Sequence, residues 1–205
     1  MEKLQNCLCC GGTQFKLFLK TKDNYSGEEF DIVQCESCGF IFTNPRPDLQ
    51  EIGKYYASPD YISHNSYSKG LLPAMYRLAR RYMMGKKLKL IQSIMGKEKN
   101  FSLLDFGCGT GDFLGYVKQH SILAEGVEPD AHAREVAKSV NHVDTYSVES
   151  SKNIEAEKFD VITLWHVLEH IHALHDQIGY FNKWLKKDGK LIIAVPNIES
   201  YDAKK

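Results

Sequence analysis

From residue 101 onward the chain alternates short apolar runs with stretches whose apolar residues recur at helical spacing. Residues 101–106 (F-S-L-L-D-F) suit one buried strand. Three glycines follow, and then Phe113, Leu114 and Val117 share one helical face. The alternation repeats, with a second strand at 122–127, a helix at 131–139, a third strand at 142–147 and a fourth at 159–167. A further helix carries Leu174, Ile178, Phe181, Trp184 and Leu185 on one face and is expected to stop at Gly189. A fifth strand spans 190–195, closed by Pro196 and Asn197. This pattern predicts an α/β domain over 101–205, a doubly wound parallel sheet with right-handed crossovers. The ends of the first, second and fourth strands then surround one crevice, where ligands bind.

Before residue 101 the pattern differs. Strand-like pieces at 14–20 and 30–33 lie among cysteines, and Asn44-Pro45-Arg46-Pro47 ends this part with a stiff extended turn. A small domain at 1–45 is expected, then a helical connector or lid at 46–100. Helices at 73–84 and 86–95 are expected to meet near Gly85, with Met75, Leu78, Tyr82, Leu88, Ile91 and Met95 as their apolar positions. Tyr55, Tyr56, Tyr61, Tyr67 and His64 either cover a site or fill a seam between domains. Arg77, Arg80, Arg81, Lys86, Lys87 and Lys89 form a basic run, the usual mark of a solvated face; a phosphate-bearing substrate is the sharper reading.

Five of the six cysteines lie before residue 39. Cys7 and Cys10 form one C-x-x-C pair and Cys35 and Cys38 another, each followed by a glycine, Gly11 or Gly39. Four thiolates in two such knuckles surround one Zn²⁺ tetrahedrally, and the glycines let the backbone turn N–H groups toward the sulfurs. With no open coordination position the metal is structural, holding together a zinc ribbon too small to fold alone. Two disulfides or free structural cysteines are the competing readings, against which paired spacing and an intracellular setting argue. Cys9 is left out, because using it for Cys10 gives up the two-residue spacing.

The second constellation is the glycine loop. Asp105 ends the first strand and leads into D-x-G-x-G-x-G, with Gly107, Gly109 and Gly111. Such glycines allow a tight turn and close approach to a ligand, and the following helix offers unpaired N–H groups to a negative charge. The second strand ends in Glu128-Pro129-Asp130, with Glu128 17 residues beyond Gly111. An acid there accepts hydrogen bonds from both hydroxyls of a ribose. Glu125 lies inside the strand and Asp130 past the proline, so Glu128 is the choice.

The 205 residues carry 26 basic and 26 acidic side chains, a formal net charge of +0. This argues against bulk attraction to nucleic acid or to an anionic membrane. No apolar run approaches the ~20 residues needed to span a bilayer, and the start has no signal-peptide core, so a cytoplasmic location is expected. No feature of the pattern sets an oligomeric state.

Taken together, D-F-G-C-G-T-G, V-E-P-D, F-D-V-I-T-L-W-H-V-L-E-H and L-K-K-D-G-K-L-I-I-A-V-P-N resemble the class I S-adenosylmethionine-dependent methyltransferases over residues 101–197. The whole chain is similar to a bacterial subgroup with an N-terminal zinc ribbon, which includes C-methyltransferases acting on nucleotide-linked deoxysugars. The resemblance implies a Rossmann-like sheet, S-adenosylmethionine as cofactor beside Zn, and methyl transfer to a small-molecule acceptor of sugar type. It implies cofactor contacts from Asp105, Gly107, Gly109 and Glu128, with Gly111 in the same loop. Trp165 and His166 would border the cofactor, and the adenine would lie near Ser147, Val148 and Glu149. The family's sheet has seven strands, the last two an antiparallel hairpin. Five are read here, so a fragment or an unusually short relative is expected.

A sulfonium methyl group is already activated, so an enzyme of this kind mainly aligns a nucleophile and excludes water. A carbon or oxygen nucleophile also needs a base. His170 is the expected base and Glu169 its orienting partner or a substrate ligand, with His172 and His166 as alternative bases. The competing structural role for Glu169 and His170 is to cap and anchor a helix. Two rival functions are a non-catalytic ribbon and cofactor-binding scaffold, and a dinucleotide-dependent oxidoreductase, which the glycine spacing disfavours.

Overall fold

The computed structural model describes residues 1–56, 71–96 and 100–201, with the side chains of 56 and 71–74 outside that description. Tyr56, Tyr61, Tyr67 and His64 therefore lie outside the described side chains. The chain divides into two compact units, Met1–Pro73 and Ala74–Lys205, and the division falls inside the expected connector.

The first unit is an antiparallel sheet of β1 (Phe15–Lys22), β2 (Glu29–Cys35) and β3 (Ile41–Thr43), in that order. The hairpin runs longer than its apolar pieces, because Asp23 accepts hydrogen bonds from the Ser26 N–H (2.6 Å) and the Tyr25 N–H (3.2 Å), and Gly27 takes φ 74° to close the turn. The short β3 had no sequence signal of its own; it follows from pairing with β2. Buried Asn44 replaces a strand neighbour for the N-terminus, accepting from Leu4 N–H at 2.9 Å and donating to the Leu4 carbonyl at 3.0 Å. Tyr55, in the short helix α1 (Gly53–Tyr56), belongs to this unit, with its hydroxyl donating to Glu28 and its ring edge-on to Phe30.

The second unit opens with one continuous helix, α2 (Leu71–Met95), where two were expected. Gly85 does not break it. A side chain there would come within 3.3 Å of the Tyr116 hydroxyl, so glycine serves close approach rather than a bend. Leu88 and Ile91 are buried, whereas Met75, Leu78 and Tyr82, expected as apolar contacts, are exposed.

Five parallel strands follow in the order β6-β5-β4-β7-β8. They are β4 (Ser102–Phe106), β5 (Leu123–Val127), β6 (Thr145–Tyr146), β7 (Phe159–Trp165) and β8 (Leu185–Ala194). The helices between them are α3 (Asp112–Lys118), α4 (Ala131–Ser139), α5 (Val148–Ser151) and α6 (Leu174–Trp184). Successive strand residues face opposite ways. Leu103 and Val161 thus join Leu88, Ile91, Phe113 and Val117 in one core, while Leu104, Ile162 and Leu164 join Phe181 and Trp184 in the other. This is the doubly wound Rossmann-like architecture.

Helix α6 stops at Trp184, ahead of the expected Gly189. Phe159 pairs with Leu185 and Val161 with Lys190, so Lys186–Gly189 loop out of register. The loop is held by Lys186, 2.8 Å from both carboxylate oxygens of Asp160, which also accepts from the Ser102 N–H at 2.8 Å.

Candidate functional site

Two clusters of chemistry stand out, one in each unit. In the first, the two cysteine knuckles have the same backbone. Gly11 N–H donates to the Cys7 carbonyl and Gly39 N–H to the Cys35 carbonyl, each at 2.9 Å, with φ 76° and 77° at the two glycines. Both glycines therefore occupy the left-handed region that ends such a turn. The turns aim N–H groups at sulfur: Cys9 N–H at Cys7 Sγ (3.4 Å) and Gly12 N–H at Cys10 Sγ (3.5 Å). The four Sγ atoms of Cys7, Cys10, Cys35 and Cys38 lie within 4.8 Å of one another, and Cys7–Cys38 and Cys10–Cys35 are both 3.7 Å apart. A disulfide needs about 2.05 Å between sulfurs. A Zn–S bond of about 2.3 Å in a regular tetrahedron gives an S–S edge of about 3.8 Å. The donor set and its spacing fit a tetrahedral thiolate site. The N–H groups of Cys38 and then Ser37 hold the Cys35 thiol down to about 7.

In the second unit the chemistry gathers at the carboxyl ends of the strands. After β4 the loop turns at Gly107, Gly109 and Gly111, with φ of 77°, 55° and 74°. The three glycines serve different ends. A Cβ on Gly107 would lie 2.4 Å from Val167 Cγ2, and one on Gly111 2.9 Å from Ala137 Cβ, so both positions are closed by packing. A Cβ on Gly109 would meet nothing within 4 Å among the described residues. This open central position is where a ligand can approach the backbone.

Glu128 is buried just past β5 and is tied to that loop. One carboxylate oxygen accepts from Gly109 N–H at 2.8 Å and the other from Asp130 N–H at 3.0 Å. Each oxygen keeps a further lone pair for a ligand hydroxyl. The two other acids of this stretch are engaged elsewhere. Asp130 caps α4 by accepting from Ala133 N–H at 2.7 Å, and Glu125 accepts from Tyr146 and Lys158, each at 2.7 Å. Ser147, after β6, forms a capping box with Ser150 at the start of α5.

Asp105, at the end of β4, is buried and accepts a hydrogen bond from Thr163 Oγ1 at 2.6 Å. Burial pushes its carboxyl up from 3.8 to about 6, against the opposing pull of Thr163 and Lys87. The Lys87 ammonium lies 4.6 Å from the Trp165 ring centroid and 5.5 Å from that of Phe113. Thr163 drew no attention in the sequence, where its signal was a lone polar residue inside an apolar run. Lys87 was one of six basic residues, and only packing separates it from exposed Arg81, Lys86 and Lys89. Arg80 leaves the run too, paired with Asp112 at 2.7 Å.

Trp165 is the last residue of β7, with its ring edge-on to Phe113. His166 follows it with φ 58°, a strained backbone for a non-glycine residue, and its side chain is 65% exposed. Glu169 and His170 are exposed in a single 3₁₀ turn, Leu168–His170. Glu169 Oε1 lies 3.8 Å from His166 Nδ1. The 3₁₀ turn thus sets Glu169 beside the histidine three residues before it.

A glycine loop after the central strand, with an acid after its neighbour holding that loop, defines a nucleotide-type site at the switch point of a doubly wound sheet. The chain belongs to the methyltransferase-domain family, whose model matches residues 76–205. It is 25% identical over 119 residues to an uncharacterized methyltransferase of Alkaliphilus oremlandii, covering 57% of this chain and 55% of that one. It is 28% identical over 124 residues to another from Anoxybacillus flavithermus, covering 56% and 57%. The chain thus spans about half the length of these curated relatives. A solved S-adenosylmethionine-dependent methyltransferase from Archaeoglobus fulgidus superposes with a TM-score of 0.48 at 22% identity, covering 58% of this chain and 55% of that one.

Proposed function

We propose that the chain is a class I S-adenosylmethionine-dependent methyltransferase that transfers a methyl group to a small-molecule acceptor, a nucleotide-linked sugar being favoured. The observation that carries this reading is the Glu128–Gly109 hydrogen bond of 2.8 Å at the carboxyl edge of the sheet. It joins the acid suited to a ribose diol with the one loop glycine open to a ligand, and it stands beside membership of the methyltransferase-domain family.

S-adenosylmethionine supplies a methyl group already activated by its sulfonium. The chain's own residues then bind and orient. Glu128 accepts from the ribose hydroxyls, Gly107, Gly109 and Gly111 shape the loop that receives the ligand, and Trp165 and His166 border it. We assign the general base to His170, with Glu169 beside it at the mouth of the crevice. A second reading moves the base to His166, whose Nδ1 faces Glu169 Oε1 at 3.8 Å. Closing that contact to hydrogen-bond distance when the acceptor binds would hold a proton at Nδ1 and leave Nε2 to take the acceptor's proton. Exposed Arg81, Lys86 and Lys89 on α2 suit an acceptor that bears phosphate.

Residues 1–45 act in this reading as a zinc ribbon, with Cys7, Cys10, Cys35 and Cys38 holding one structural Zn²⁺ and residues 46–100 connecting it to the cofactor-binding part at 101–205. The rival is a non-catalytic scaffold that binds the same ligand.

Calorimetric titration with S-adenosylmethionine, S-adenosylhomocysteine and NAD, on the native chain and on Glu128→Ala, tests the assignment. Binding of both adenosyl ligands, weakened in the variant and absent for NAD, is expected. Binding of NAD in their place would overturn it. Formation of S-adenosylhomocysteine on adding nucleotide-linked sugars separates the enzyme from the scaffold.

A further inference from the structure

Arg134 has no part in the scheme above. It stands in the first turn of α4, where the helix dipole opposes a cation. Helical side chains lean toward the N-terminus of their helix, and Arg134 reaches back to the end of β5. There one nitrogen, Nη1, donates to two consecutive backbone carbonyls, those of Glu128 and Pro129, at 2.7 Å each. Among the described residues no backbone N–H donates to either carbonyl. The rest of Glu128 is fixed as well. Its N–H donates to the Tyr146 carbonyl at 3.0 Å, and its carboxylate oxygens accept from Gly109 N–H at 2.8 Å and Asp130 N–H at 3.0 Å. Pro129 has no N–H to give, so side chains hold the turn: the Glu128 carboxylate on Asp130 N–H, and Arg134 on the two carbonyls. Arg134 thus completes the grip on the residue whose carboxylate meets the loop glycine open to a ligand.

We propose that Arg134 is a positioning residue: by holding the Glu128 and Pro129 carbonyls it fixes the turn that presents the Glu128 carboxylate to the ribose hydroxyls of the cofactor. This rests on the reading of the crevice as an adenosyl site and adds the residue that keeps its ribose contact in register. Arg134 touches no ligand in this scheme and acts through the backbone of Glu128. Its donor is charged, so each of the two bonds is of the stronger kind. It also explains a cation kept in the first turn of a helix, against the dipole. A merely structural arginine, tying α4 to β5, would add stability and leave the choice between ligands unchanged.

The test compares S-adenosylhomocysteine with its 2′,3′-dideoxy analogue, which keeps the base, thioether and amino-acid end but lacks both ribose hydroxyls. Dissociation constants are measured for native protein, Arg134→Met, Arg134→Lys, and Arg134→Met in a Glu128→Ala background. Native protein is expected to prefer the ligand with hydroxyls by about tenfold or more, as hydrogen bonds to a charged acceptor predict. Arg134→Met should cut that preference to about threefold or less, while affinity for the dideoxy analogue stays within about twofold, which also reports that the variant is folded. Arg134→Lys, whose single ammonium replaces the single nitrogen that meets both carbonyls, should recover most of the preference. In the Glu128→Ala background Arg134→Met should move either constant by no more than about twofold, because its effect passes through Glu128. A native preference retained in Arg134→Met overturns the role of Arg134 while the adenosyl reading stands. Equal weakening of both ligands overturns it too, since the effect would be structural. If the native protein shows no preference, the ribose contact and its positioning fall together, and if it binds neither ligand the adenosyl reading falls with them.

Discussion

Replacing Asp105 by Asn is expected to make the protein more stable at neutral pH while weakening its hold on the cofactor. The carboxyl is buried at the end of β4 and accepts from Thr163 Oγ1 at 2.6 Å, and burial pushes it up from 3.8 to about 6. At 1.36 kcal/mol per pH unit, that rise means about 3 kcal/mol spent on keeping the folded carboxylate ionised at pH 7. The folded value is raised above the unfolded one, so the native state binds the extra proton. Its stabilising effect is complete below 3.8 and is lost as pH rises through about 6. Asn keeps an oxygen to accept from Thr163 and never ionises. The two proteins should converge in stability toward acid pH and separate by about 3 kcal/mol by pH 7, the variant being the more stable. Urea unfolding followed by tryptophan emission is the assay, because Trp165 and Trp184 both lie in the second unit. The acid sensitivity of the thiolate cluster cancels in the difference. A variant less stable than native protein at pH 7, or a gap that does not change with pH, would refute the reasoning.

The loop glycines should separate folding from binding. Gly107→Ala forces a Cβ 2.4 Å from Val167 Cγ2 at φ 77°. Left-handed strain of about 1–2 kcal/mol and overpacking of about 1–3 kcal/mol should lower Tm clearly. Gly109→Ala meets nothing within 4 Å among the described residues, so it should carry the strain alone yet lose most affinity for S-adenosylhomocysteine. Cys10→Ser should take bound zinc, read by elemental analysis, from one ion per chain to near none and unfold the β1–β3 sheet by far-UV circular dichroism. For the base, His170→Ala or, on the second reading, His166→Ala should lower kcat about 10²–10⁴-fold while S-adenosylhomocysteine still binds; full turnover in both variants removes both assignments.

Much was legible because it is local. Each knuckle is a run of five residues whose glycine must take positive φ, and the spacing of Cys7, Cys10, Cys35 and Cys38 carries the tetrahedral set without knowledge of the sheet between them. Strand and helix alternation, the glycine loop and the acid after β5 are likewise patterns of neighbours, and they imply the parallel sheet through general packing rules. What the order of residues left open depends on groups far apart in the chain. Gly85 reads as a break until Tyr116 stands over it, 31 residues on, and α2 continues straight through. Gly189 reads as a helix stop until the pairing of β7 with β8 consumes Leu185 as strand. Lys87 reads like any member of its basic run, and only Trp165 and Phe113, brought together by β7 and α3, set it apart. Local backbone preference and apolar period determined the elements and the cysteine knuckles. Burial, a property of the assembled core alone, decided which charges are solvated and which are held dry at the crevice.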